Sequence, residues 1–204
     1  MSFLSVEKIS AGYGGHPILA DVSFQLEQGC MMGILGANGC GKTTLLKTIC
    51  GILPHKGTCL LEQTVLEQLS ARRMARLVGY IPQRSGISID ISVLDVVLMG
   101  FNPRLGLLER PGRKMQDLAA QALEQVGLGG REQSNYLCLS EGQKQLCILA
   151  RTLVSGNRLL LLDEPESALD FRYRHRMFNL LKAWVAQEKR AVVVTLHDPS
   201  LALH

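Results

Sequence analysis

Residues 36–43 read Gly36-Ala37-Asn38-Gly39-Cys40-Gly41-Lys42-Thr43, a complete G-x-x-x-x-G-K-[ST] pattern. It follows the short apolar run Met31-Met32-Gly33-Ile34-Leu35 and precedes a helix-forming stretch from Thr43 to Ile49. Strand, glycine-rich turn and helix together face backbone N–H groups toward an anion, and the helix N-terminus adds partial positive charge. In such a loop Gly36, Asn38, Gly39, Cys40, Gly41 and Thr44 line the phosphates. Lys42 reaches the β- and γ-phosphates, and the Thr43 hydroxyl sits on Mg²⁺. The plainer reading is a glycine-rich turn with a surface lysine; the flanking strand and helix weigh against it. The pattern implies an α/β chain that binds a nucleoside triphosphate.

The 204 residues suffice for one domain with a full core and a smaller lobe. With 47% hydrophobic and 20% charged residues, the composition is that of an ordinary soluble protein. The net charge of +4 is modest. The basic clusters at Arg72-Arg73 and from Arg172 to Arg176 read as solvated helix faces, so no nucleic-acid partner is expected. Six cysteines form no C-x-x-C pair, and most read as reduced, buried thiols of a cytosolic protein. No apolar stretch approaches the ~20 residues needed to cross a bilayer, and Met1-Ser2-Phe3 does not begin a signal peptide. Any membrane part would belong to other chains.

Residues 3–9, 18–26 and 31–35 are expected as strands, with turn material from Gly12 to Pro17. Further short strands are expected at 57–61 and 77–81, around a polar helix at 70–76. After Gln83 helical patterns dominate. Met115, Leu118, Ala119, Ala122, Leu123 and Val126 share one face of a helix. A second helix begins at Ser140, with Leu146, Leu149, Ala150 and Leu153 as its stripe. Buried strands at Leu159–Leu162 and Ala191–Leu196 flank a helix bearing Tyr173, Met177, Leu180, Leu181 and Trp184 on one face. Strands alternating with helices imply a parallel sheet covered on both sides.

The strand at Leu159–Leu162 delivers Asp163-Glu164-Pro165 at its C-terminal end, where ligands of open α/β sheets bind. Asp163 is expected to hold Mg²⁺, and Glu164 to polarise an attacking water as general base. Some twenty residues earlier, Leu139-Ser140-Glu141-Gly142-Gln143 opens a helix. Taken alone it is equally well a capping box, with Ser140 as N-cap and Gln143 three residues on.

With these residues in this order, the chain resembles the ATP-binding-cassette (ABC) ATPases along essentially its whole length. Residues 139–143 match their Leu-Ser-Gly-Gly-Gln signature except that Glu141 replaces a glycine. Tyr13 matches the aromatic that stacks on adenine, and Gln83 in Tyr80-Ile81-Pro82-Gln83 matches the Q-loop glutamine. Ser167-Ala168-Leu169-Asp170 matches the D-loop, and His197 in Thr195-Leu196-His197-Asp198 matches the switch histidine.

The resemblance implies a P-loop NTPase core with a mostly parallel sheet, an N-terminal antiparallel β subdomain and an inserted α-helical subdomain. Residues 1–83 and 156–204 would form the core and 84–155 the helical part. The cofactors implied are ATP and Mg²⁺, with Thr43, Gln83 and Asp163 toward the metal and Glu164, His197 and Gln83 in catalysis. Ser140, Gly142 and Gln143 would close on the nucleotide of a second copy, giving a head-to-tail homodimer around two ATP molecules. Glu141 is expected to point away from the phosphates.

A free-standing cassette resembles the importer subunits that sit on the cytoplasmic face of the cell membrane. Its partners would be integral permease subunits that meet the helical subdomain and the Q-loop. Ile91 to Pro103 resembles importers for iron-siderophore complexes, haem and vitamin B12, although Phe101 stands where those carry arginine. The alternative is a soluble, non-transport ABC ATPase in assembly or regulation. Family members continue beyond the position of His204, so a further sheet edge is expected past a helix at Leu201–His204.

Overall fold

Strand pairing divides the strands into two sheets. The structure is a computed structural model that describes residues 2–197 apart from 85, 107 and 188. The expected helix at Leu201–His204 lies outside the described residues, as does Asp198. In chain order the elements are β1 (Leu4–Tyr13), β2 (His16–Leu26), β3 (Met31–Leu35), α1 (Lys42–Ile49), β4 (Lys56–Leu61), β5 (Thr64–Val65), α2 (Ala71–Leu77) and β6 (Val78–Ile81). There follow α3 (Val93–Leu98), α4 (Arg113–Val126), α5 (Glu141–Val154), β7 (Leu159–Asp163), α6 (Phe171–Val185) and β8 (Ala191–Leu196).

One sheet is antiparallel, in the order β2-β1-β4-β5. The other is parallel, in the order β3-β8-β7-β6. Every residue of β7 and β8 is buried, the mark of strands covered on both faces. Their side chains alternate between two cores. Leu160, Leu162, Val192 and Val194 join one with α3 to α6. Leu159, Leu161, Ala191 and Val193 join the other, with α1 and the antiparallel sheet. Two-residue periodicity thus lets one sheet hold both cores together.

The first hairpin is tighter than expected. The chain needs only Gly14-Gly15 to turn between β1 and β2, both at positive φ (55° and 83°). Two left-handed residues in a row suit the twist of a two-residue hairpin, so both strands run farther than the sequence pattern suggests.

Side chains start several helices. Ser70, Ser92, Ser140 and Asp170 each accept a hydrogen bond from the backbone N–H three residues on. Helix α5 is buried continuously from Gln145 to Ala150, not along a stripe alone. On α4, Ala119, Ala122, Leu123 and Val126 are buried, but Leu118 is exposed, so the apolar face is narrower than expected. The cysteines also depart from expectation: Cys59 and Cys147 are buried, Cys50 half-buried, and Cys30, Cys40 and Cys138 exposed.

Arg72, Arg73, Arg172 and Arg176 are exposed, as solvated helix faces should be, and two of them also donate to backbone carbonyls. Arg72 and Arg76 both donate to the Pro103 carbonyl (3.0 and 2.7 Å). Arg176 donates to the carbonyls of Gln125 and Glu124 at the C-terminus of α4 (2.8 and 2.9 Å). Carbonyls left unpaired at a helix end attract cations. Phe101 is buried in the core around α3 to α5, so the departure at that position serves packing.

The turn after α3 approaches α5 closely. A methyl group at Gly100 would collide with the Arg151 carbonyl oxygen and press on Val154 Cγ2 at 2.8 Å. Gly100→Ala is expected to lower stability by about 1–3 kcal/mol. Denaturant unfolding would show a lower midpoint with an unchanged slope.

Candidate active site

The loop between β3 and α1 closes on itself through glycine conformations that other residues resist. Gly39 and Gly41 have φ of 79° and 102°. A Cβ at Gly41 would strike Leu19 Cδ2 at 2.8 Å, and one at Gly36 would strike Cys40 Sγ at 2.6 Å. The Cys40 thiol therefore packs over Gly36 within the loop. Asn38 lies exposed at the tip, and Thr44 is buried in the first turn of α1.

Lys42 is buried to 7% exposure, yet its ammonium is fully engaged. Nζ donates to the Gly36 carbonyl at 2.7 Å and to Ala37 at 3.3 Å. It also pairs with Glu164 Oε1 at 3.2 Å. The other carboxylate oxygen of Glu164 accepts from Gln83 Nε2 at 3.2 Å.

Asp163, 4% exposed, is held by three hydroxyls from three elements. Thr43 Oγ1 and Thr195 Oγ1 each lie 3.0 Å from Oδ1, and Tyr80 OH donates to Oδ2 at 3.3 Å. Burial, followed by the charge of Asp163, pushes the Tyr80 phenol far above its ordinary range, so it remains a donor.

Glu164 has φ of 45°, a left-handed conformation that costs a non-glycine residue ~1 kcal/mol. Its N–H donates to Thr195 Oγ1 at 2.9 Å, which fixes the bend. The kink turns the carboxylate off the strand line and toward Lys42. Strained backbone of this kind gathers where chemistry is done.

Lys42, Thr43, Gln83, Asp163 and Glu164 therefore form one connected cluster at the C-terminal end of the parallel sheet. Tyr13 ends β1 with 45% of its surface exposed. His197 is exposed, and its backbone N–H donates to Glu166 Oε1 at 3.3 Å.

Ser140 and Gln143 bond to each other in a reciprocal capping box at the exposed start of α5. Gly142 lies against the Ala168 carbonyl, which a Cβ would approach to 2.8 Å. Glu141 turns to Lys144 (2.7 Å), with 72% of its side chain exposed. This one-turn ion pair compensates the charge that replaces glycine in the signature.

Four residues of the site were not anticipated from the pattern. Thr195 and Tyr80 complete the hydroxyl cage, and both lie in the quoted strings Thr195-Leu196-His197 and Tyr80-Ile81-Pro82-Gln83. Glu166 is buried with Oε2 lacking a hydrogen-bond partner among the described residues, and burial raises its carboxyl pKa. Gln145, buried on α5, donates to the Pro82 carbonyl at 3.2 Å and so ties the signature helix to the residue before Gln83.

The site suits Mg²⁺. Its donors are oxygens only, the buried Asp163 carboxylate and the hydroxyl of the exposed residue Thr43 that meets it, a set that a hard divalent cation prefers.

Comparison with known proteins places this geometry among relatives. The family model described as "ABC transporter" matches residues 19–167. The hemin import ATP-binding protein of Bordetella pertussis is 37% identical over 204 residues, covering 96% of this chain and 77% of that protein. The manganese transport system ATP-binding protein of Bacillus subtilis is 34% identical over 198 residues, covering 96% and 77%. Among solved structures, a metal-chelate type ABC transporter in an inward-facing conformation superposes with a TM-score of 0.82 at 32% identity, covering 98% of this chain and 75% of that one. A nucleotide-free ATP-binding cassette superposes at 0.86 with 23% identity, covering 100% and 84%, a likeness of fold.

Thr195 offers a sharp test of the cage. Thr195→Val removes a donor to Asp163 and the acceptor of the Glu164 N–H while keeping the volume. It is expected to cost about 1–3 kcal/mol of stability, because two buried polar groups lose a partner. Thermal unfolding of the two proteins side by side would measure it.

Proposed function

The chain belongs to the ABC transporter family of ATP-binding proteins, and from that premise we propose that it is the ATPase motor of an importer for a metal-chelate or haem solute. It binds nucleotide and hydrolyses ATP. The observation that carries the catalytic reading is the joined cluster of Lys42, Thr43, Gln83, Asp163 and Glu164. The solute class rests on the hemin and metal-chelate relatives.

Phosphoryl transfer needs positioning and charge neutralisation more than covalent chemistry. On this reading the loop amides and Lys42 cradle the β- and γ-phosphates, and Tyr13 stacks on the adenine. Thr43, Asp163 and Gln83 would hold Mg²⁺, which would supply neutralisation of phosphate charge. Lys42 already holds Glu164, so an arriving phosphate competes for the ammonium and releases the carboxylate. Glu164, now free on one side, takes a proton from water while Gln83 orients it. His197 reaches the γ-phosphate from the end of β8.

One chain supplies half of each site. The exposed start of α5, with Ser140, Gly142 and Gln143, would face the nucleotide of a second copy, where a helix N-terminus favours the negative γ-phosphate. Residues 1–83 and 156–204 act as the nucleotide-binding core, and 84–155 as the helical part that meets a membrane permease. No helix among the described residues is long and apolar enough to cross a membrane. Bound to that partner, the chain would work at the cytoplasmic face of the membrane. The Gln145–Pro82 hydrogen bond links the signature helix to the Q-loop segment and so carries motion between permease and nucleotide.

Glu164→Gln keeps the shape and removes the base. Hydrolysis is expected to fall by about 10²–10⁴-fold with ATP binding retained. The variant's mass in solution should double with Mg-ATP. A monomer that binds ATP would contradict the shared site. Purification of the native complex should bring down a polytopic membrane protein; a membrane-free complex would favour a soluble ATPase.

A further inference from the structure

Outside the nucleotide site, His55, Cys59 and Glu67 converge so that one ligand atom from each lies within 4.8 Å of the others. His55 directly precedes β4, Cys59 is within β4, and Glu67 lies in the short 3-10 turn Leu66–Gln68 that follows β5. Antiparallel pairing of Leu60 with Val65 and Leu61 with Thr64 folds that turn back over Cys59. The Cys59 N–H donates to Glu67 Oε1 at 2.7 Å, which holds the carboxylate against the strand.

The imidazole faces two oxygens. His55 Nδ1 is 3.3 Å from the Leu53 carbonyl oxygen, and Nε2 is 2.9 Å from Glu67 Oε1. A neutral ring carries one N–H, so it satisfies one of these contacts and turns a lone pair to the other. Metal-binding histidines commonly donate one N–H to a backbone carbonyl and present the other nitrogen to the ion. With Nδ1–H on Leu53, the Nε2 lone pair points at the centre of this group.

Cys59 is fully buried, and nothing in the nucleotide site uses it. Burial, and then the neighbouring charge of Glu67, push its thiol up to about 12. The sulfur is therefore a neutral, inert thiol unless a cation replaces its proton.

We propose that His55 Nε2, Cys59 Sγ and a carboxylate oxygen of Glu67 bind one Zn²⁺. A mixed nitrogen, sulfur and oxygen donor set suits zinc, whereas Mg²⁺ takes oxygens alone. Tetrahedral zinc separates its ligand atoms by about 3.3–3.8 Å, so the His55–Glu67 contact opens slightly from 2.9 Å while the three atoms stay within their present 4.8 Å. As the S–Zn bond forms, the thiol proton passes to solvent, and no atom changes oxidation state. The Glu67 side chain is 28% exposed against 7% for His55, so the ion enters, and water takes the fourth position, on the Glu67 side. The ion pins the β4–β5 hairpin and its turn to one another, a site separate from the Mg²⁺ position beside Asp163.

The test uses the untagged full chain, reduced and metal-free, with no nucleotide present. Titration with Zn²⁺ against a chromophoric chelator is expected to show one tight equivalent per chain. Co²⁺ in its place should give a thiolate-to-metal band in the near ultraviolet and tetrahedral d–d bands. His55→Ala and Glu67→Gln each remove one donor and should each weaken Zn²⁺ binding by about tenfold or more. Both should still bind ATP, which shows that they fold. Cys59→Ser should abolish the thiolate band, whereas Cys138→Ser, at an exposed cysteine, should leave it unchanged. Absence of a stoichiometric equivalent would overturn the proposal and leave a histidine–carboxylate hydrogen bond. So would zinc binding undiminished in both His55→Ala and Glu67→Gln.

Discussion

The Asp163 carboxylate is the joint on which the site is built. It is buried and charged, a combination that is costly unless donors surround it. Its three hydroxyl donors come from α1 (Thr43), β6 (Tyr80) and β8 (Thr195). Satisfying one carboxylate therefore fixes the phosphate loop against two strands of the parallel sheet. Thr195 serves twice, because its oxygen also receives the Glu164 N–H and so sustains the left-handed kink that aims Glu164 at Lys42. The geometry around Asp163 follows from pairing this one buried carboxylate.

The alternating side chains of β7 and β8 bring two cores into one body. One core holds the antiparallel sheet and α1, which present Tyr13 and the loop; the other holds the helices that present the signature. The site lies at the end of the strands these cores share. Movement of the helical part relative to the loop would reach the nucleotide through β7, β8 and the Gln145–Pro82 bond. Glu141, a departure from the family signature, is compatible with this arrangement because Lys144 draws its charge along α5.

Much of this was legible in the residues. The glycine-lysine loop and the acidic pair after an all-leucine strand anticipated residues that the fold brings together at the end of the parallel sheet, because each is a local pattern. The long strands of the first hairpin were less legible, since Gly12 to Pro17 looks like turn material throughout, although two glycines suffice to reverse the chain. The arginine clusters are exposed as read, but sequence spacing does not reveal that Arg72 and Arg176 also meet carbonyls 31 and 51 residues away. Thr195 and Tyr80 escaped notice for a similar reason. Their hydroxyls acquire meaning only when parallel pairing places them beside Asp163. The likeness of the His55, Cys59 and Glu67 group to a metal site likewise depends on a hairpin that brings the third residue back over the first two.

The central claim is that Lys42 is shared between Glu164 and the nucleotide phosphates. ADP tests it within one chain, because it lacks the γ-phosphate that a second copy would grip. The decisive measurement is the equilibrium affinity for Mg-ADP of Glu164→Gln beside the unmodified chain, at low and high salt. Losing the competitor should tighten binding by about two- to tenfold, and the difference should persist at high salt because a buried pair is little screened. Equal or weaker binding would mean that Glu164 does not hold Lys42 away from the phosphates, and would contradict the account.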